Sequence, residues 1–289
     1  MLVLNENGLR NREEWLEKGY RLPAFDRAAM IQRTKAAPAW VHFGAGNIFR
    51  AFQCAGMQKL LNEGKAETGI VAVEGFDYEI VEKGYRPNDN YTLLVTLKAD
   101  GSVEKTVIGS IAESCILDRN NADEFEHLKE IFSSPSLQMA SFTITEKGYA
   151  TRDEHGSLTK AVASDLEAGP DASQSYLGKV AALLYARYQA GAAPIAMVSM
   201  DNCSHNGEML FQALLTFAEG WKDAGFLAYV SDPARVSFPW TMIDKITPVP
   251  TPPWKPCCGP TACRALSPSS PPGIPISRHS STRRRANIS

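Results

Sequence analysis

Val41-His42-Phe43-Gly44-Ala45-Gly46-Asn47-Ile48-Phe49-Arg50 sets two glycines one residue apart, between an apolar run and a stretch of helix-forming composition. Glycines at such a junction let backbone amides approach a pyrophosphate, and the positive end of the following helix favours its charge. Gly44, Ala45, Gly46 and Asn47 are therefore candidate cofactor-binding residues. The third glycine of the usual three-glycine pattern is absent, because Phe49 stands there, so the motif alone also fits a plain tight turn. A second apolar run, Ile70–Val73, ends at Glu74. An acid at that point accepts hydrogen bonds from adenine-ribose hydroxyls and repels a 2′-phosphate, which favours NAD over NADP. The plain alternative for Glu74 is a solvated loop carboxylate.

Two further apolar runs end in polar residues. Ser141–Thr145 leads into Glu146-Lys147-Gly148-Tyr149, and Ile195–Met200 into Asp201-Asn202. Glu146 joins the expected cofactor-binding set. Lys147 fits a general acid or a solvated loop lysine, and Asn202 fits a donor to a substrate oxygen. Asn206 reads as the cap of the next helix. Cys203 and His205 lack third and fourth partners at zinc-like spacing, so no metal is expected there.

These residues need elements to hold them. Residues 1–36 read as an arm with one or two short helices, Asn11 capping Arg12–Lys18 and Leu22-Pro23 breaking it. Trp40–Phe43, a helix over Ile48–Glu63 stopped by Gly64, and Ile70–Val73 make a strand–turn–helix–strand opening. Tyr91–Leu97, Asp100-Gly101 and Val103–Ile111 signal a β-hairpin insertion. Helices are expected over Ala122–Phe132, Gln174–Gln189 and from Asn206 onward. The expected fold is α/β, a Rossmann-type doubly wound, mainly parallel sheet. The polar groups all follow strands directly, so they converge on the rim where such sheets bind ligands.

Composition narrows the class. The 289 residues are 44% hydrophobic and 21% charged, the balance of a globular protein. A net charge of -2 argues against a nucleic-acid partner. No apolar run is long enough for a membrane span, and the charged N-terminus MLVLNENGLRNREEW does not read as a signal peptide. Six scattered cysteines suit a reducing, cytoplasmic compartment. The charge is unevenly placed. Residues 1–250 carry 24 basic and 32 acidic side chains, while residues 251–289 carry six basic and none acidic. Ten of the 18 prolines lie at or after Pro248. The expected division is therefore an arm (1–36), a nucleotide-binding domain (37–250) and a Pro/Ser/Arg-rich disordered tail (251–289), whose Arg283–Arg285 run reads as solvated.

VHFGAGNIFRAFQ (41–53), FTITEKGY (142–149), VSMDNCSHNGEMLFQALLTFA (198–218) and FPWTMIDKITP (238–248) occur in an order that resembles the mannitol dehydrogenase family of polyol and hexuronate oxidoreductases. The resemblance runs over roughly residues 20–250. The family pattern G-x-G-x-x-x-R is met by Gly44, Gly46 and Arg50, which explains the absent third glycine. Its V-D-R-I-x-P signature stands here as Ile243-Asp244-Lys245-Ile246-Thr247-Pro248. The resemblance implies NAD as cofactor, no metal in the reaction, and a small sugar-acid or polyol substrate. It also implies hydride exchange between a keto-hexuronate or ketose and the aldonate or polyol. The Glu146–Tyr149 segment leans toward the fructuronate reductase (D-mannonate oxidoreductase) branch, with mannitol 2-dehydrogenase as the alternative. Asn202 matches an asparagine that helps to hold the substrate oxygen. The family's general-base lysine, followed by an asparagine and a histidine, belongs to a second domain. Family-like sequence stops near Pro248–Thr251, so that domain is expected to be missing and the tail to be an out-of-frame read, leaving a weakly active or inactive chain. A non-catalytic dinucleotide-binding module is the rival reading.

Overall fold

In the computed structural model, residues 2–243 and the strand Ile276–Arg278 are described. Six strands form one wholly parallel sheet: β2 (Trp40–Phe43), β3 (Ile70–Glu74), β6 (Ile111–Ile116), β7 (Met139–Phe142), β8 (Ile195–Ser199) and β9 (Val236–Ser237). Their order, β6-β3-β2-β7-β8-β9, is the doubly wound order, with the reversal between β2 and β7. A smaller sheet holds β1 (Tyr20–Arg21), the antiparallel hairpin β4 (Thr92–Leu97) and β5 (Val103–Ile108), and β10 (Ile276–Arg278) beside β4. The expected α/β class, parallel sheet and hairpin insertion are all present. The tail expected to be disordered otherwise lies outside the described residues, as does the 243–248 signature beyond Ile243.

Helices cover both faces of the parallel sheet. On one face lie α4 (Ala122–Ser133), α6 (Tyr176–Gln189), α7 (Asn206–Gly220) and α8 (Ala224–Ser231). α4 buries Phe125, Leu128, Ile131 and Phe132 along one stripe, and Asn121 caps it by accepting from the Glu124 amide. Burial on this scale contributes about 1.5–3 kcal/mol for each large apolar side chain. Arg187 on α6 is 1% exposed, and its guanidinium donates to five carbonyls, those of Phe132, Ser134, Leu137, Ala193 and Pro194. One cation thereby fastens the end of α4 to the starts of β7 and β8. α3 (Cys54–Asn62) packs on the opposite face.

Several elements depart from the periodicity-based reading. The helix after β2 starts at Asn47 and passes through a π-turn, Phe49–Gln53, before α3 begins. The strand expected over Ser141–Thr145 leaves the sheet after Phe142. β6 is an additional strand, hidden because it follows the hairpin with two intervening residues. The arm is integrated into the domain: β1 pairs with β5, and the Arg27 guanidinium on α2 (Arg27–Ala36) donates to the carbonyls of Asp89, Gly109 and Ile111. Asn11 precedes α1 (Arg12–Glu17) without a side-chain cap bond. No helix among the described residues is long and apolar enough to cross a membrane.

Candidate functional site

Where β2 and β7 lie side by side, their following loops part and leave a crevice. It has a volume of about 380 Å³ and is lined by Gly44 and Gly46 after β2, Glu74 at the end of β3 with Phe76 just beyond, and Thr143–Thr145, Lys147 and Gly148 after β7. Three stretches far apart in sequence thus meet at one rim, as their position after strands predicts.

The two glycines differ in what they do. Gly44 has φ +98°, and a Cβ there would stand 2.2 Å from the Thr143 carbonyl oxygen. Its glycine is required by backbone conformation and close packing. At Gly46 φ is ordinary, and a Cβ would meet no protein atom within 4 Å. Gly46 lines the crevice with open space over its backbone. The chain turns helical at Asn47, whose Oδ1 accepts from Arg50 Nη2 at 2.6 Å.

Glu74 is 5% exposed, and its carboxylate already holds four amides. Oε2 accepts from Ala45 N at 2.8 Å, and Oε1 accepts from Gly75 N, Phe76 N and Asp77 N at 3.0, 2.9 and 3.3 Å. The expectation of a ribose-binding acid therefore meets a group that welds the glycine loop to the end of β3. Ala45 is fully buried, its amide taken by Glu74 and its carbonyl by Tyr85 OH at 2.7 Å, so it supports the loop from below.

A polar chain lies beneath the loop. Trp40 Nε1 donates to Ser141 Oγ (2.6 Å), His42 Nδ1 lies 2.6 Å from the same oxygen, and His42 Nε2 lies 2.9 Å from Thr143 Oγ1. Thr143 Oγ1 in turn donates to the Gly44 carbonyl at 3.0 Å. A consistent direction places the His42 proton on Nε2, with Nδ1 accepting from Ser141. Burial holds this imidazole neutral by pushing its pKa down to about 3, against an opposing hydrogen bond to Gly44. Its ring stacks on Phe49, 4.2 Å away and 3° from parallel.

The far wall of the crevice is organised by Asp201. Its carboxylate accepts from Ile144 N (2.9 Å), Thr145 N (3.0 Å) and Tyr149 OH (2.6 Å). Burial and the neighbouring Asp201 charge raise the Tyr149 phenol, keeping it protonated as a donor. Asn206 corrects the sequence reading. His205, at φ 54°, occupies the cap position, and Asn206 is 1% exposed. Its Nδ2 donates to the Asp201 and Thr241 carbonyls, and its Oδ1 accepts from Gly207 N and Thr241 N. It ties the Asp201 loop to the chain after β9 because its amide has donors and an acceptor to satisfy at once.

Gly44, Gly46, Glu74 and Lys147 come together at the crevice, and Lys147 is exposed there. Asn47 is half-buried at the helix start, and Glu146 is exposed on the same 3₁₀ turn as Lys147 (Glu146–Tyr149), outside the lining. Asn202 is exposed beside Asp201 and also lies outside the lining. Phe76 was not anticipated. It is 61% exposed and stacks on Tyr176, with centroids 4.3 Å apart and planes within 4°. Its place just past a strand end was the available signal. The buried Tyr176 hydroxyl has no hydrogen-bond partner, and Glu74 and Asp201 lie close enough to raise its phenol further beyond the effect of burial.

The profile of the mannitol dehydrogenase Rossmann domain matches residues 38–258. A D-mannonate oxidoreductase of Thermotoga maritima is 47% identical over 253 residues, covering 86% of this chain and 46% of that protein. A mannitol 2-dehydrogenase of Cereibacter sphaeroides is 30% identical over 240 residues, 78% of this chain and 45% of that protein. The solved Pseudomonas fluorescens mannitol 2-dehydrogenase, a ternary complex with NAD and D-mannitol, superposes with a TM-score of 0.74 at 26% identity, covering 96% of this chain and 53% of that one. The chain thus spans about half the length of the relatives it matches. The match covers the glycine loop, the parallel sheet and the crevice together, and the chain belongs to the mannitol dehydrogenase family of oxidoreductases.

Proposed function

We propose that this chain binds NAD in the β2/β7 crevice and serves an oxidoreductase that interconverts a keto-hexuronate or ketose with the corresponding aldonate or polyol. The observation that carries the reading is Gly46: neither φ nor packing asks for a glycine, while the space above it, at the start of a helix, suits a pyrophosphate. Gly44 and Gly46 would present backbone to the phosphates, and the Asn47 amide group would face the same anion. Phe76 offers an exposed aromatic face at the β3 edge, where a doubly wound sheet receives the adenosine half. Glu74 keeps a carboxylate in the lining, which favours NAD over NADP. Tyr176 supplies a buried hydroxyl still in need of a partner. Bound NAD would supply or accept the hydride; Lys147 and Asn202, at the ends of β7 and β8, would face the reacting end and the substrate oxygen. The D-mannonate oxidoreductase at 47% identity supports a hexuronate substrate over a simple polyol.

Calorimetric titration with NAD⁺, NADH and NADP⁺ tests the cofactor reading. One NAD per chain, weakened by Gly46→Val, is expected. Equal heats for the wild-type chain and Gly46→Val, or no binding at all, would sink it. Turnover of fructuronate and fructose with NADH then decides the substrate class.

A further inference from the structure

Among the described residues, one cluster of coordinating side chains lies outside the crevice lining. Glu113 and Cys115 on β6 and His127 on α4 bring one ligand atom each within 4.8 Å of one another. We propose that these three residues form a site for a zinc-class divalent transition metal that staples the edge strand β6 to α4.

The backbone sets this cluster up. Residues 111, 113 and 115 of a regular strand would share one face. The β6–β3 register instead slips between Ile111 and Glu113, with Ile70 opposite Ile111 and Val71 opposite Glu113. The slip leaves Ile111 in the core on the α3 face and turns Cys115 into the core under α4. β-Bulges of this kind re-aim side chains. His127, one turn after the start of α4, then stands over the pair, with Nε2 3.1 Å from Glu113 Oε1.

The donor set is chemically apt. Thiolate, imidazole and carboxylate are the ligands zinc takes; with three of them from the protein, water would fill the fourth position, the open arrangement rather than the closed four-ligand one. Cys115 is 4% exposed, whereas the His127 side chain is 43% exposed and that of Glu113 18%, so an ion has a route from solvent. Ligands of a tetrahedral zinc lie about 3.3–3.8 Å apart, so the three atoms, now within 4.8 Å of one another, would have to close by about 1 Å on binding. Nearby Glu124 does not compete, since its oxygens hold Arg86 Nη2 at 2.8 Å and Ile116 N at 2.6 Å. Glu130 Oε2 stands 3.7 Å from His127 Nδ1, beyond hydrogen-bond reach, so it does not fix the ring. Binding would displace the Cys115 thiol proton to solvent, with no change of oxidation state.

The test is cobalt(II) titration of the chelator-treated full chain carrying Cys203→Ser, Cys257→Ser, Cys258→Ser and Cys263→Ser, which removes the other accessible and tail thiols. One equivalent of cobalt with a thiolate-to-cobalt charge-transfer band, displaced by zinc, is expected. Cys115→Ala should abolish the band, and His127→Ala should weaken cobalt binding at least about tenfold. Because His127 is only partly buried, its variant should fold even if the Cys115 variant does not. Absence of the band in the four-serine background, or unchanged affinity in His127→Ala, overturns the site.

Discussion

Asp201 holds Thr145 in a backbone conformation that threonine avoids. Thr145 sits at φ 65° and ψ 160°, a region open essentially to glycine alone. The Asp201 carboxylate takes the Thr145 and Ile144 amides and the Tyr149 hydroxyl, three donors that act together to fix the turn. The strained residue lines the crevice, so the carboxylate shapes the crevice wall without entering it. Such strain is kept only where the surroundings over-determine it, and here the surroundings are one side chain from the end of the neighbouring strand.

Replacing Asp201 by Asn removes one acceptor oxygen while keeping the shape. The expected loss is about 1–3 kcal/mol, the cost of a part-buried charge-assisted bond left unmade. Thr145→Gly relieves the strain and should gain on the order of 1 kcal/mol. In Thr145→Gly, the Asp201→Asn loss should shrink, because the carboxylate no longer holds a strained residue. Urea unfolding of both single variants and the double checks this, and strict additivity would refute the coupling.

His42 predicts an acid limit. Its folded pKa is pushed from the ordinary 6.5 down to about 3. Between those values the unfolded chain binds the proton and the folded chain does not, so stability falls as pH drops from 6.5 toward 3 and is intact above it. The slope is at most about 1.4 kcal/mol per pH unit from this one group. His42→Gln should be less stable at neutral pH yet lose less on acidification, as read from denaturant midpoints across that range. A parallel pH profile for the two proteins would show that His42 does not set the limit.

How much of this was readable beforehand depends on the range of the interactions. The β2 and β3 runs, the Gly44 turn and the Asp100-Gly101 hairpin rest on local periodicity and glycine chemistry, and all appear where the sequence places them. The π-turn at Phe49, the slip at Ala112 and the capture of Glu74 by four amides depend on contacts made only after the sheet assembles. Asn206 shows the difference well. Beside a helix start it has the chemistry of a cap, but burial against Thr241, 35 residues on, gave it other partners. Phe76 stands just past a strand end, a local cue, but its stack on Tyr176, 100 residues on, forms only after the sheet assembles.

The glycines should separate folding from binding. Gly44→Ala meets both a positive φ and the Thr143 carbonyl, so more than about 1 kcal/mol of stability should go. Gly46→Ala should stay within about 0.5 kcal/mol of the parent, since its Cβ touches nothing. NAD affinity should nevertheless fall about tenfold or more, an energy of about 1.4 kcal/mol. Thermal unfolding and calorimetry on the same samples make the comparison. A Gly46→Ala protein that is destabilised yet binds normally would reverse the assignment.

Phe76 gives the sharpest check on where the adenosine half lies. The ring is held flat by Tyr176 yet leaves 61% of its surface open, an arrangement that gains little for folding and much for stacking. Phe76→Ala should cost under about 1 kcal/mol of stability, because little of the ring is buried. An aromatic stack contributes about 0.5–1.5 kcal/mol, so NAD affinity should drop roughly two- to twelvefold, while Phe76→Tyr keeps it. Titration with AMP localises the effect. If the ring stacks adenine, AMP should show the same fold loss as NAD, and a nicotinamide mononucleotide titration should show none. An equal loss for both half-ligands would mean that Phe76 acts through the shape of the loop instead of through its face.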